Sequence, residues 1–225
     1  MMIVIDNYIK DENILNRLKN DSNFFPGPMG DTENIAPELN SYHNEEATCF
    51  APYMFWDGWW KSPANTLKKE IIKIIWEPNL SYDLDEILGF EYWTRTYKPG
   101  QYLPTHVDED TFLYEKEKTY AGPINGCIYY GCNNDDGGFL EIHPKALQDY
   151  TKNALEKENI SKYIVPEEKR ERIAYKGNRL IIFDAGHIIH NTTPAGSGIR
   201  EVLIVNVWHK NVPPTALSIG AFYYE

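Results

Sequence analysis

Three side chains suited to a divalent metal stand in two separate stretches of this 225-residue chain, and a cation follows at a fixed offset. His106 and Asp108 form a His-x-Asp pair; His190 lies far downstream, ten positions before Arg200. Two imidazoles and one carboxylate are the facial ligand set of non-haem Fe(II) oxygenases, which leaves coordination positions open for co-substrate and O2. An arginine presents a permanently charged planar fork, here suited to the remote carboxylate of a 2-oxo acid. The chemistry these residue types imply is oxygenation.

Spacing tests each member of the set. Residues two apart on an extended strand share a face, so His106 and Asp108 can point at one ion. The run Tyr97-Lys98-Pro99-Gly100-Gln101-Tyr102-Leu103-Pro104 before them reads as a strand and turn that deliver the chain to that point. For the third ligand there are two candidates, His187 and His190, three apart and therefore on opposite faces of a strand. His190 is preferred, because Asn-Thr-Thr-Pro and a Gly-containing turn lead from it into the Arg200 strand. Arg200 opens a face that continues with Val202, Ile204, Asn206 and Trp208, and a guanidinium there is costly to bury without an anion. The competing partner is a surface carboxylate such as Glu201 or Asp184. Asp184 also stands close enough to the distal histidine to orient a ligand imidazole. His43, His143 and His209 read as structural or surface residues, and Trp208 as core.

The elements that must position these residues change character along the chain. Asp11 to Lys19 is a short amphipathic helix with Ile14, Leu15 and Leu18 on one side. Residues 21–60 carry Pro26, Gly27, Pro28, Gly30, Pro37, Pro52 and Gly58, and read as loop. The aromatics Tyr53, Phe55, Trp56, Trp59 and Trp60 imply that this loop packs down. A second helix follows, with Ser62 as cap, Pro63 in the first turn, an apolar stripe of Leu67, Ile71, Ile74 and Ile75, and Pro78 as its stop. From Leu88 the period becomes two, and Gly89–Tyr97, Asn125–Gly131, Phe139–Ile142, Arg179–Asp184 and Ile199–His209 read as strands. Asp135-Asp136-Gly137-Gly138 reads as a hairpin turn. Short strands at this spacing, with no βαβ rhythm, point to a mainly β fold with flanking helices and a double-sheet jelly roll, or double-stranded β-helix, at its core. Two insertions interrupt it: Glu109–Pro123, polar and flexible, and Lys145–Lys176, charged and mostly helical. The expected organisation is a single domain, 1–225, with a helical and loop support layer over 1–87, the catalytic core over 88–209 and a tail over 210–225.

Bulk properties exclude several functions. The composition is 14% aromatic, with 16 tyrosines, and the net charge of −11 weighs against a nucleic-acid backbone as ligand. No run approaches membrane-span length, and the apolar start meets Asp6 too early for a signal peptide. Cys49, Cys127 and Cys132 are an odd set without a CxxC pair, so neither a disulfide framework nor a metal pair is expected. A soluble, cytoplasmic protein fits these features.

The ordered set His106-x-Asp108, Gly137-Gly138-x-Leu140, His190 and Arg200 resembles the 2-oxoglutarate- and Fe(II)-dependent dioxygenases, and within them the prolyl 4-hydroxylase branch. Cys127-Ile128-Tyr129-Tyr130 is similar to a strand of the oxygen-sensing prolyl hydroxylases whose last tyrosine bonds the 2-oxoglutarate carboxylate. The resemblance spans about residues 88–209. It implies iron ligation by His106, Asp108 and His190, and a carboxylate clamp from Arg200 helped by Tyr130 and Tyr97. It implies Fe(II), 2-oxoglutarate and O2 as cofactor and co-substrates, with ascorbate supportive. The collagen-type enzymes commonly carry lysine at the place of Arg200, so the clamp is closer to the oxygen sensors. The nucleic-acid demethylases carry a second arginine six positions on, where this chain has Asn206; that branch is set aside.

By the same resemblance the expected substrate is a prolyl residue of a peptide or protein, with release of succinate and CO2. A free amino acid or a small metabolite is the alternative, and a jelly-roll metal-binding module without turnover is the reading from another class. Glu109–Pro123 stands where a substrate lid would, although a solvated loop fits its composition equally well. The sequence leaves the oligomeric state open.

Overall fold

A six-stranded and a three-stranded antiparallel sheet face each other in the computed structural model, which describes residues 2–25, 54–117, 119–133, 136–146 and 163–211. The chain runs β1 (Ile3–Ile5), α1 (Glu12–Asn20), β2 (Met54–Trp56), α2 (Leu67–Trp76), β3 (Ile87–Tyr97), α3 (Thr111–Glu117), β4 (Asn125–Tyr130) and β5 (Phe139–Ala146). A 3-10 turn (Glu167–Lys169), β6 (Glu171–Ala174), β7 (Leu180–Phe183), β8 (Ile188–Thr192) and β9 (Arg200–His209) complete it. The major sheet has the order β1-β7-β4-β9-β3-β2 and the minor sheet β6-β5-β8. This is the double-stranded β-helix expected from the period-two pattern. Among the described residues no helix is long and apolar enough to cross a membrane.

Strand periodicity divides the core in two. Along β3, β4, β7 and β9 one set of alternate residues, among them Tyr92, Tyr129, Leu180 and Leu203, packs with Ile14, Leu18, Ile71 and Ile75 of α1 and α2. The other set, including Trp93, Tyr130, Phe183 and Val202, meets Leu140, Ile142 and Ile173 of the minor sheet. The major sheet is therefore buried on both faces, which explains why β7 and β9 read as nearly continuous apolar runs. The functional residues belong to the second set, between the sheets.

Several sequence expectations need correction. The N-terminal 87 residues contribute strands as well as helices, since β1 pairs with β7 and β2 with β3. Three-residue edge strands carry too few alternations to be read from periodicity. Thr66, not Ser62, caps α2: its hydroxyl accepts from the Lys69 amide at 3.3 Å, while Ser62 bonds Asp57 and the Trp56 indole instead. Ile72 rather than Ile74 completes the fully buried stripe of α2. Glu109–Pro123 contains α3, whose first turn is capped by Asp110 accepting from Leu113 N at 2.9 Å. In the 145–176 insertion the described end is a 3-10 turn and β6, not a helix. The Asp136-Gly137-Gly138 turn joins no hairpin, because β4 and β5 lie in different sheets; Asp135 falls outside the described residues, as do His43, Tyr53 and Cys49. Gly138 is needed there on two counts. Its φ is +76°, and a Cβ would sit 2.5 Å from the Pro194 carbonyl oxygen.

Candidate metal centre and adjoining cavity

β3 runs to Tyr97, turns, and comes back as an extended segment paired with β8. Leu103 N donates to Thr192 Oγ1 at 2.7 Å, Thr192 N to Leu103 O at 3.0 Å, and His106 and His190 exchange both backbone hydrogen bonds at 2.9 Å. Such a closely spaced antiparallel pair sets the two imidazoles side by side. Their ring centroids are 4.2 Å apart, with Phe183 edge-on to His190 at 4.9 Å. Asp108, two residues past His106, is tied to the β7–β8 turn by its amide, which donates to Ala185 O at 2.9 Å.

One ligand atom from each of His106, Asp108 and His190 lies within 4.8 Å of the other two. Their protonation follows from the neighbours. His106 Nδ1 is 2.7 Å from Pro104 O and His190 Nδ1 is 2.9 Å from Ile188 O; a carbonyl only accepts, so both Nδ1 atoms carry the hydrogen. Both Nε2 atoms then present lone pairs. They face Asp108 Oδ1 at 3.4 Å and 3.8 Å. Three acceptors turned toward one point repel each other unless a cation lies between them, and a tautomer fixed by a backbone carbonyl is the usual support of a metal-binding histidine. A proton is a poor substitute at His190, since burial, with His106 beside it, pushes its imidazole down to about 4. For Asp108 burial acts upward, but a proton on either neighbouring imidazole favours the carboxylate, and on balance the carboxyl is held below its ordinary value.

A cavity opens from these three residues between the sheets, with about 500 Å3 of empty volume including its mouth. Trp93, Ile128, Val202 and Ile204 form apolar walls, and Tyr97, Tyr130 and Arg200 also line it. Arg200 is fully buried, so it is not the surface ion pair that Glu201 or Asp184 would have made. Its Nη1 donates to Gly137 O at 2.7 Å and Thr193 O at 3.0 Å, its Nη2 to Thr192 Oγ1 at 2.9 Å, and its carbon lies 4.5 Å over the Tyr97 ring. These acceptors aim the guanidinium. Among the described residues the Tyr130 hydroxyl is buried without a hydrogen-bond partner. Tyr129, its neighbour, faces the other core and donates to Asn178 Oδ1 at 3.0 Å.

His187 stands outside the cluster, its Nδ1 on Asp184; that carboxylate therefore orients His187 and not a member of the triad. Trp208 is buried as expected, and of the two readings for His143, structural or surface, burial favours the structural one. The sequence reading missed Asn206 as a contributor. Its amide lies beside both Asp108 and Glu91 and acts to lower both carboxyls, and Trp208 Nε1 donates to Glu91 Oε2 at 2.9 Å. Burial pushes the Glu91 carboxyl up to about 7. A signal was present: Asn206 shares the inward face of β9 with Arg200, where an apolar residue would be ordinary. Glu109, next to Asp108, is likewise pushed up to about 7 by burial.

No family model and no curated protein matches this sequence. A solved structure of a prolyl-4-hydroxylase from Pseudomonas putida aligns over 92% of this chain and 87% of that chain, with a TM-score of 0.47 and 14% identity. The fold and the site above stand without it.

Proposed function

We propose that this protein is a 2-oxoglutarate- and Fe(II)-dependent dioxygenase that hydroxylates an aliphatic C–H, with a prolyl residue of a peptide or protein as its substrate class. The observation that carries the reading is one cavity holding three convergent lone-pair donors together with a fixed guanidinium and a buried hydroxyl that has no hydrogen-bond partner among the described residues. The residues fit the absent groups in kind: two neutral imidazoles and a carboxylate suit Fe(II), and an arginine with a phenol suits a carboxylate.

Dimensions support a five-carbon diacid. Thr192, which takes a hydrogen bond from Arg200, is two residues along β8 from His190, or about 6.6 Å of strand. An extended five-carbon chain spans roughly 5 Å from first to fifth carbon. The triad would hold the iron and, through it, the oxo-acid end, while Arg200, Tyr130 and Tyr97 take the remote carboxylate. Iron with 2-oxoglutarate and O2 would supply the oxidation that converts C–H to C–OH with release of succinate and CO2.

The chain's own part is positioning and exclusion. Pro104 O and Ile188 O lock both imidazoles with Nε2 inward; the Asn206 amide beside Asp108 favours its carboxylate form; Trp93, Ile128, Val202 and Ile204 keep water from the reacting centre. The acidic net charge favours a peptide or small molecule over a nucleic acid as partner. The test is succinate production by anaerobically purified protein given Fe(II), 2-oxoglutarate, ascorbate and O2, with and without proline-containing peptides. Peptide-stimulated succinate with a product one oxygen heavier supports the proposal. Succinate that no peptide stimulates moves the substrate to small molecules, and none at all despite bound iron leaves a metal-binding module.

A further inference from the structure

Behind the proposed metal centre lies a buried polar cluster that this reaction does not use. Glu141 and His143 on β5 are 2% and 0% exposed, and Asn191 on β8 is also buried. They point away from the cavity, since their strand neighbours Leu140, His190 and Thr192 line it. Among the described residues the cluster's polar atoms find specific counterparts, Glu141 Oε1 through an ion pair alone. Asn191 Nδ2 donates to Glu141 Oε2 at 3.0 Å, and Val165 N donates to His143 Nδ1 at 3.0 Å. That bond places the His143 hydrogen on Nε2, which donates to Asn191 Oδ1 at 3.3 Å. Arg170 Nη1 donates to Glu141 Oε2 at 2.7 Å and its Nε to Val165 O at 3.0 Å; Arg172 Nε lies 3.2 Å from Glu141 Oε1.

The cluster sits where the backbone ladder fails. β5 and β8 pair as Leu140↔Thr192, Glu141↔Asn191 and Ile142↔His190, and the next pair is Ala146↔Ile188. Four steps along β5 thus oppose two along β8, and the irregularity begins at His143, immediately beside His190. A bulge releases the register that a regular ladder would impose, and a slip of one residue would turn His190 out of the cavity.

We propose that Glu141, acting through Asn191 and His143, is a positioning residue that pins β8 against the bulge and so sets His190 at the metal position. This rests on the reading of His106, Asp108 and His190 as a metal site. Side chains replace the missing backbone bonds: Asn191 is gripped at both ends, by the Glu141 carboxylate and the His143 imidazole. Arg170 and Arg172 in turn anchor Glu141, which ties the end of the 145–176 insertion to the metal-bearing strand.

The test is Co(II) titration of the metal-free full-length chain, read by the d–d absorption, whose shape reports ligand geometry, alongside the thermal unfolding of each variant. Asn191→Ala removes the gripped amide and leaves Glu141 with its arginines; Glu141→Ala removes the grip itself; Glu141→Gln keeps an oxygen for Asn191. Losses of about 10- to 100-fold in Co(II) affinity with a changed spectrum are expected for both alanine variants, with recovery in Glu141→Gln. Asp6→Asn, which breaks the surface pairs of Asp6 with Lys176 and Arg179, serves as a control with a stability cost and unchanged Co(II) binding. Alanine variants that melt earlier but bind Co(II) with the parent affinity and spectrum would overturn the inference and leave the cluster a purely structural one. Parent-like Co(II) binding by His190→Ala would instead remove the metal-site reading, and the positioning role with it.

Discussion

Removing the Tyr130 hydroxyl should move stability and ligand affinity in opposite directions. Tyr130 is buried in the cavity wall with its oxygen unpartnered among the described residues, and burial raises its phenol to about 12, so it is a neutral donor at pH 7. A buried hydroxyl without a partner costs about 1–3 kcal/mol. Tyr130→Phe relieves that cost, leaves the ring packing on Tyr175 intact and should raise the stability of the ligand-free protein by on the order of 1 kcal/mol. With 2-oxoglutarate present the same oxygen would donate to a carboxylate, an interaction worth about 1.5–3 kcal/mol, so affinity should fall roughly 10- to 100-fold. Anaerobic titration of the Mn(II)-loaded protein with 2-oxoglutarate, followed by the fluorescence of cavity-lining Trp93, measures the second effect, and thermal unfolding the first. A less stable Phe variant with parent-like affinity would refute the reasoning, because it would show that the hydroxyl serves the fold and not a ligand.

Other perturbations separate the parts of the site. His106→Ala, Asp108→Ala and His190→Ala should each abolish divalent-metal binding in a Co(II) titration, whereas His187→Ala, outside the cluster, should bind normally. Arg200→Ala should retain Co(II) but lose 2-oxoglutarate affinity; it should also cost about 2–4 kcal/mol in chemical denaturation, since Gly137 O and Thr193 O lose their buried donor. Glu91 has its carboxyl raised from 4.5 to about 7, so the folded metal-free protein holds a proton there that the unfolded chain has released. Its contribution is complete below pH 4.5 and is lost as pH rises to 7; Glu91→Gln should flatten that part of the stability-versus-pH profile. Thr66→Ala should cost about 1 kcal/mol through the lost cap of α2, detectable in the same denaturation assay.

The parts of this molecule legible in its sequence are those set by short-range chemistry. The period-two runs of β3, β4 and β9 emerge nearly at their observed bounds, and α1 is marked by Asp11, which caps it through Asn13 N at 2.8 Å. His106 and Asp108 share a face because two residues on an extended strand do. What escaped was set by distant partners. β1 is a strand only because β7 offers an edge, and β8 acquires its register from β5 and from His106. Glu171–Ala174 sits in a charged stretch, yet pairs with β5 while Arg172 reaches Glu141. Asn206 and Glu91 meet across the β3–β9 ladder, a pairing of residues more than a hundred positions apart that no local pattern displays.

The strand order also bears on how the protein is made. β9 lies between β3 and β4 in the major sheet and pairs with both, yet it is the last described strand to leave the ribosome. Until it arrives, β3 and β4 keep unpaired edges rich in aromatic and β-branched residues, a hazard for association between nascent chains. Closure of the major sheet between β3 and β4 therefore waits for β9. The same strand delivers Arg200 and Asn206, so the cavity gains its anchoring cation and the support of Asp108 only after synthesis has passed residue 206. If the proposed metal site is correct, conditions that slow the entry of β9 should lower the yield of metal-competent molecules before they lower the yield of chain.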